Sequence, residues 1–163
     1  TPMLVQILII YFGLGQMLRP TGFRWLNIGG TFTAGTVALS LNAGAYMAEI
    51  VRGGIEAVDK GQVEAARSLG LTYGKTMKKI VLPQALRTML PSIINQFIIS
   101  IKDTSLLSVI GLTELTNVGK TIAATQSAHM MVIYCFMACY YLFICTVLAQ
   151  VSKVVEKRLS YGK

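Results

Sequence analysis

Charge is scarce in this chain. Of its 163 residues, 13% are Asp, Glu, Lys or Arg, while 53% are hydrophobic. A soluble domain carries about 25% charged residues, so the deficit points to lipid as part of the solvent. Histidine is scarcer still. His129 is the single one, at the mouth of an apolar run. No Ser-His-Asp set and no pair of carboxylates exists, so catalysis has no candidate residues and an enzyme is not expected. Cysteine occurs at 135, 139 and 145, all in one apolar run. Cys135 and Cys139 share a helix face, but no His or acid joins them. They read as small apolar packing residues, which leaves disulfides and metal sites without support. A signal peptide is also lacking. The chain opens Thr1-Pro2 and runs straight into apolar sequence, as an internal piece of a longer polypeptide would.

What is there is a series of oily runs. Met130 to Val151 carries no charge at all, and roughly 20 apolar residues suffice for a helix to cross the hydrocarbon core. Three further runs are weaker. Met3–Leu18 holds only Gln6 and Gln16 as polar groups, Thr31–Met47 is small-residue-rich, and Met89–Leu112 is apolar except for Lys102 and Asp103. Four spans are expected. A soluble all-helical core is the bland reading, and the uncharged run after His129 argues against it.

The formal net charge is +8. In a soluble protein that would suggest nucleic acid. Here the basic residues sit in loops. Arg52, Lys60, Arg67, Lys75, Lys78, Lys79 and Arg87 crowd one loop region, and Lys153, Lys157, Arg158 and Lys163 follow the last span. The opposite side has Arg19, Arg24 and Lys120. Cytoplasmic loops carry the Lys/Arg excess. The long loop, residues 55–82, and the C-terminus are therefore expected in the cytoplasm, with no nucleic-acid partner.

Local signals fill in the organisation. Arg19 to Gly30 is a turn-rich connector whose Phe23 and Trp25 suit a membrane interface. The next helix carries Ala34, Gly35, Ala38, Ser40, Ala43, Gly44 and Ala45. Such residues let helix backbones approach closely, so it is expected at the centre of the bundle. Glu49, Arg52 and Glu56 are spaced for a small ion-pair set. Val63–Leu69 reads as a short helix stopped by Gly70, and a second one starts near Thr72. Pro83 would fall in the first turn of the helix that re-enters the membrane. Pro91 should kink that helix, and Gly111 ends it. Asn95, Gln96, Ser100, Lys102, Asp103, Thr104 and Ser105 lie along the same stretch. Polar groups at membrane depth are costly unless they face protein or water, so this helix should line a polar path. Lys102 and Asp103 pairing with each other is the bland alternative. Leu112 to Ser127 is a short amphipathic piece before the last span.

Gly70-Leu-Thr-Tyr-Gly74-Lys75-Thr76 imitates a phosphate-binding loop. That loop needs four residues between its glycines and a preceding strand. Here there are three, after a helix, so ATP binding by this chain is not expected.

The same stretch fits another pattern at every fixed position: Glu64-Ala65-Ala66, three residues, Gly70, nine residues, Ile80, one residue, Leu82-Pro83. It resembles the cytoplasmic loop of binding-protein-dependent ABC importer permeases. Ala45-Tyr-Met-Ala-Glu-Ile50, Arg52-Gly-Gly54, Leu82-Pro-Gln-Ala85 and Lys102-Asp-Thr-Ser-Leu106 look like the polar-amino-acid branch, the histidine, glutamine and arginine permeases. The resemblance implies an all-α polytopic bundle of the type I importer class, with residues 1–163 as one permease domain. Members usually begin with one more transmembrane helix, so a full subunit would have five spans. It further implies a coupling helix seated in a separate ATPase subunit, with Glu64, Ala65, Ala66, Arg67 and Gly70 as docking residues. ATP and Mg would lie on that partner, and this chain would bind no cofactor. A second permease subunit, identical or sister, and an extracytoplasmic solute-binding protein complete the implied assembly in a bacterial inner membrane. Asn42, Asn95, Ser100, Asp103 and Thr104 are candidates for the amino-acid path. The alternative is a self-contained secondary transporter. It would need inverted repeats, and no internal repeat is visible.

Overall fold

The computed structural model describes residues 1–160. Lys163, counted above in the basic C-terminal run, lies outside them. The described residues form helices joined by short turns, with no strand among them. We label the helices α1 (Met3–Met17), α2 (Gly30–Glu56), α3 (Lys60–Ser68), α4 (Tyr73–Ile110), α5 (Leu115–Thr125) and α6 (Met130–Ser160).

Two of these are long and apolar enough to cross a membrane. One is α4, with 38 residues, and the other is the 26-residue stretch Met130–Val155 of α6. At 1.5 Å per residue the latter is about 39 Å long, ample for a hydrocarbon core of ~30 Å. α1 is apolar but shorter. α2 has the length, at 27 residues, but its Gly, Ala, Ser and Thr content dilutes its apolarity.

α4 departs from the sequence expectation. A separate second loop helix and a fresh re-entering helix at Pro83 do not occur. Tyr73–Thr76, a π turn over Met77–Val81, Leu82–Asp103 and a 3₁₀ stretch over Thr104–Ile110 follow one another without a break. A proline inside a helix lacks one N–H and crowds the carbonyl four residues back. The π turn directly before Pro83 widens the helix where that crowding falls, so the chain passes through. It also continues through Pro91. Gly111 closes the run as expected, with φ +79°.

The chain divides into two compact units. The first comprises Thr1–Gly44 with Ile98–Val147. Its core is Ile7, Ala38, Leu107 and Ile110, flanked by Tyr11, Leu106 and Leu112. Small residues make this contact possible. A Cβ on Gly35 would stand 2.9 Å from Leu107 Cδ1, too close to fit without a shift. A Cβ on Gly119 would overlap Met137 Sδ. In lipid, where helix association has little hydrophobic drive, such close packing is the main source of cohesion. The buried side of α2 is Ala34, Gly35, Ala38 and Asn42, while Ser40 and Gly44 are exposed. The small-residue helix is packed as expected, along a narrower stripe.

The second unit comprises Ala45–Phe97 and the chain from Leu148 onward. Ala66, Thr76, Val81, Ala85 and Met89 are buried in it. Gly54 lets the end of α2 lie against α4. A Cβ there would meet Met89 Cβ at 3.0 Å and the Ala85 carbonyl at 3.3 Å.

The uncharged stretch of α6, Met130 to Val151, offers no period to read. Cys135 and Cys139, expected to pack, are exposed, and Cys145 is half-buried. Which face of such a helix is covered depends on its neighbours, not on its own sequence. The expected Glu49–Arg52–Glu56 set forms, at 3.8 and 3.6 Å. It is solvent-exposed, so each pair contributes only ~0.3–0.5 kcal/mol.

Candidate functional site

The charged loop folds as a helical hairpin, α3 followed by the start of α4. α3 begins earlier than the apolar pattern suggested because Asp59 caps it, its carboxylate accepting from the Gly61 amide at 2.7 Å. It ends in a Schellman motif. Gly70 N–H donates to the Arg67 carbonyl at 3.0 Å and Leu71 N–H to the Ala66 carbonyl at 3.1 Å. This closure needs a left-handed residue just after the cap, and Gly70 supplies φ +83°. The Arg67 guanidinium donates to the Leu71 carbonyl at 3.3 Å, bracing the same turn.

The five loop candidates separate on this frame. Glu64, Ala65, Arg67 and Gly70 are exposed, and Ala66 is 3% exposed, facing the hairpin's interior. Two residues the sequence reading passed over stand out beside them. Leu69 is 82% exposed, and Tyr73 also projects. A large apolar side chain held outward by a tight turn is a ready contact for a partner. The sequence signal was available: Leu69 is apolar but falls between Ser68 and Gly70, outside the α3 apolar face.

The hairpin is tied to the membrane helix. Gln84 Nε2 donates to Gln62 Oε1 at 2.6 Å and to the Ile80 carbonyl at 3.1 Å. A cavity of about 510 Å³ lies beneath, walled by Ile55, Val63, Tyr73, Met77 and Val81.

The polar candidates divide differently. Asn42 is 8% exposed, and its Nδ2 donates to Gln6 Oε1 at 3.1 Å. That bond satisfies one amide with another inside the first unit. Ser100, Asp103 and Thr104, half-buried, belong to the same unit. The Thr104 hydroxyl donates to the Ile101 carbonyl at 2.6 Å, leaving its lone pairs free to accept. Lys102 and Asp103 do not pair; the ion pairs among the described residues are those of Arg52. Asn95 is exposed and belongs to the second unit. Gln96 was not singled out as a path residue, yet it is 5% exposed and its Nε2 finds no partner among the described residues. A buried unpaired amide costs about 1–3 kcal/mol.

In the other hairpin-like corner, Glu114 caps α5. Its carboxylate accepts from the Thr116 and Asn117 amides at 2.8 and 2.6 Å, and Tyr141 Oη donates to it at 3.3 Å. Among the described residues no group of His, Cys, Asp and Glu could hold a metal ion.

Comparison with known proteins decides the family. Residues 1–161 match the binding-protein-dependent transport system inner membrane component. The chain belongs to this family. It is 44% identical to the glutamine transport system permease protein GlnP of Escherichia coli K12, over 98% of this chain and 69% of that protein. It is 40% identical to the arginine transport system permease protein ArtQ of Bacillus subtilis, with the same coverage. Among solved structures, a chain from the crystal structure of an amino acid ABC transporter with histidines superposes with a TM-score of 0.86. Identity is 39%, over 97% of this chain and 70% of that one. The resemblance drawn from Glu64-Ala65-Ala66 and Gly70 therefore holds, and the helical fold is that of an importer permease.

Proposed function

We propose that this chain is the membrane-spanning subunit of an ATP-driven importer of a polar amino acid, of the kind its relatives' names give: glutamine, arginine or cystine, with glutamate and histidine as further candidates. It sits in a bacterial inner membrane with four spans from this sequence, the long loop and C-terminus in the cytoplasm. ATP and Mg reside on a separate ATPase subunit. A second permease subunit completes the path, and an extracytoplasmic binding protein delivers the amino acid.

The observation that carries this reading is the hairpin. Glu64, Ala65, Arg67 and Gly70 present a polar rim, Leu69 and Tyr73 an apolar one, and Ala66 fills the space behind. A surface of this kind, held by Asp59, Gly70 and the Gln62–Gln84 bond, is stiff enough to pass on a push. When the ATPase subunits close, displacement of α3 is handed through Gln84 to α4, which carries Asn95, Ser100, Asp103 and Thr104. Asn42 joins the path by exchanging Gln6 for substrate. Exposure alternates because the two orientations of the bundle differ in what they bind.

The test has two arms. Glu64→Lys should leave the protein in the membrane and release the ATPase subunit in a pull-down. Unchanged binding together with unchanged transport would sink the docking assignment. Vesicle uptake of labelled glutamine, glutamate, histidine, arginine and cystine with the cognate binding protein identifies the substrate. Uptake of any of them without the ATPase subunit would favour the secondary transporter instead.

A further inference from the structure

A cavity in the first unit lies apart from both the hairpin and the polar stretch of α4. It measures about 780 Å³ and lies where α1 meets the Arg19–Gly30 connector. Tyr11, Phe23 and Trp25 form its aromatic side, and Arg19 and Arg24 its basic side. The aromatic side is built, not incidental. Trp25 Nε1 donates to the Tyr11 carbonyl at 3.0 Å, and Phe23 meets Trp25 edge to face at 5.1 Å between ring centroids. Gly15 makes room for the indole, since a Cβ there would lie 3.1 Å from Trp25 Nε1.

The basic side is uncompensated. No Asp or Glu occurs in the chain before Glu49. The first unit otherwise contains Asp103 and Glu114 as its acids, and the Glu114 carboxylate is occupied by the α5 amides and Tyr141. Neither Arg19 nor Arg24 has a side-chain hydrogen bond or ion pair among the described residues. Two guanidinium groups facing one cavity without a carboxylate invite an oxyanion, which they can bind in bidentate fashion. The rim is oily: Leu26 is 85% exposed and Phe12 55% exposed.

We propose that this cavity binds the phosphate of a membrane phospholipid. The connector joins an apolar helix to the long α2, so it lies at the level where headgroups meet hydrocarbon. Aromatic residues favour that level. The arginines would hold the phosphate, the aromatic side would cover the glycerol region, and Phe12 and Leu26 would border the acyl chains. An acidic surface on a soluble partner could satisfy the arginines, but it would leave those two apolar side chains facing water at the rim. The inference rests on insertion of the chain in a bilayer, and not on which side the connector faces.

The test uses the purified importer complex, titrated with phosphatidylglycerol and read by native mass spectrometry. R19Q/R24Q is expected to weaken binding of one phospholipid per copy by about tenfold or more. A second arm needs no variant. Diacylglycerol has the same tails and no phosphate, and should bind the unmodified complex about tenfold more weakly. Equal lipid binding by the complex and R19Q/R24Q, or equal binding of the two lipids, overturns the proposal. Displacement of the lipid by millimolar glycerol 3-phosphate overturns it in favour of a free anion. Loss of binding-protein docking in R19Q/R24Q with lipid binding unchanged overturns it in favour of an acidic protein surface.

Discussion

Replacing Gly70 by alanine isolates one physical quantity in the hairpin of α3 and α4. At φ +83° the residue occupies the left-handed region, and a Cβ built there meets nothing within 4 Å. The cost of alanine is therefore conformational, with no clash to confuse it. An L-residue in that region costs about 1–2 kcal/mol. A penalty of that size shifts a local opening equilibrium by a factor of about 5–30. The bonds that feel it are the Gly70 and Leu71 amides on the Arg67 and Ala66 carbonyls, because they close only when the turn is left-handed. Hydrogen exchange of those two amides in the membrane-bound complex should rise by that factor, while amides in the middle of α4 stay unchanged. Asparagine tolerates the left-handed region better than alanine, so Gly70→Asn should recover more than half of the protection. ATPase pull-down should follow the same order: glycine, asparagine, alanine. Exchange in Gly70→Ala equal to that of the native chain would refute the reasoning. So would asparagine and alanine failing equally in the pull-down, since position 70 would then matter for the room it leaves to a partner and not for its φ.

The hairpin was legible in outline because glycine and proline punctuate it. Gly70 and Gly111 both end helices in the left-handed conformation that only their residue type adopts freely. The long apolar α6 was legible from composition alone, and the close packing of α2 from its small residues, though not which of them form the buried stripe. Three things were not. Asp59 was overlooked as a cap, since α3 was traced from its apolar residues and a cap lies outside that pattern. The continuity of α4 through Pro83 depends on a π turn over Met77–Val81, and no local residue type announces one. Ala66 was grouped with Ala65 as a docking residue, and only the packing of α3 on its own unit turns one inward and leaves the other out. The polar positions were recognised as costly at membrane depth. Which of them are satisfied within the bundle, as Asn42 is by Gln6, follows from a contact 36 residues apart that no local reading contains.

Gln84→Ala removes the 2.6 Å bond to Gln62, worth about 0.5–1.5 kcal/mol; it should leave ATP hydrolysis running while substrate uptake falls, and Gln62→Ala should add little to it. Gly119→Ala forces a methyl into Met137 Sδ and should destabilise the detergent-solubilised protein by about 1–3 kcal/mol, with Met137→Ala relieving the clash; thermal unfolding checks both. Gln96→Leu separates fold from function most sharply. Its Nε2 is buried without a partner among the described residues, and an amide in that condition subtracts about 1–3 kcal/mol from stability. Leucine removes the unpaired group at similar size, so the variant should be as stable as the native chain or more so. On the proposed path along α4, the substrate carboxylate would supply the acceptor that this amide lacks. Uptake should therefore fall in the variant while the melting temperature holds or rises. A lower melting temperature together with lower uptake would mean the amide is already satisfied within the bundle, and Gln96 would be a structural residue.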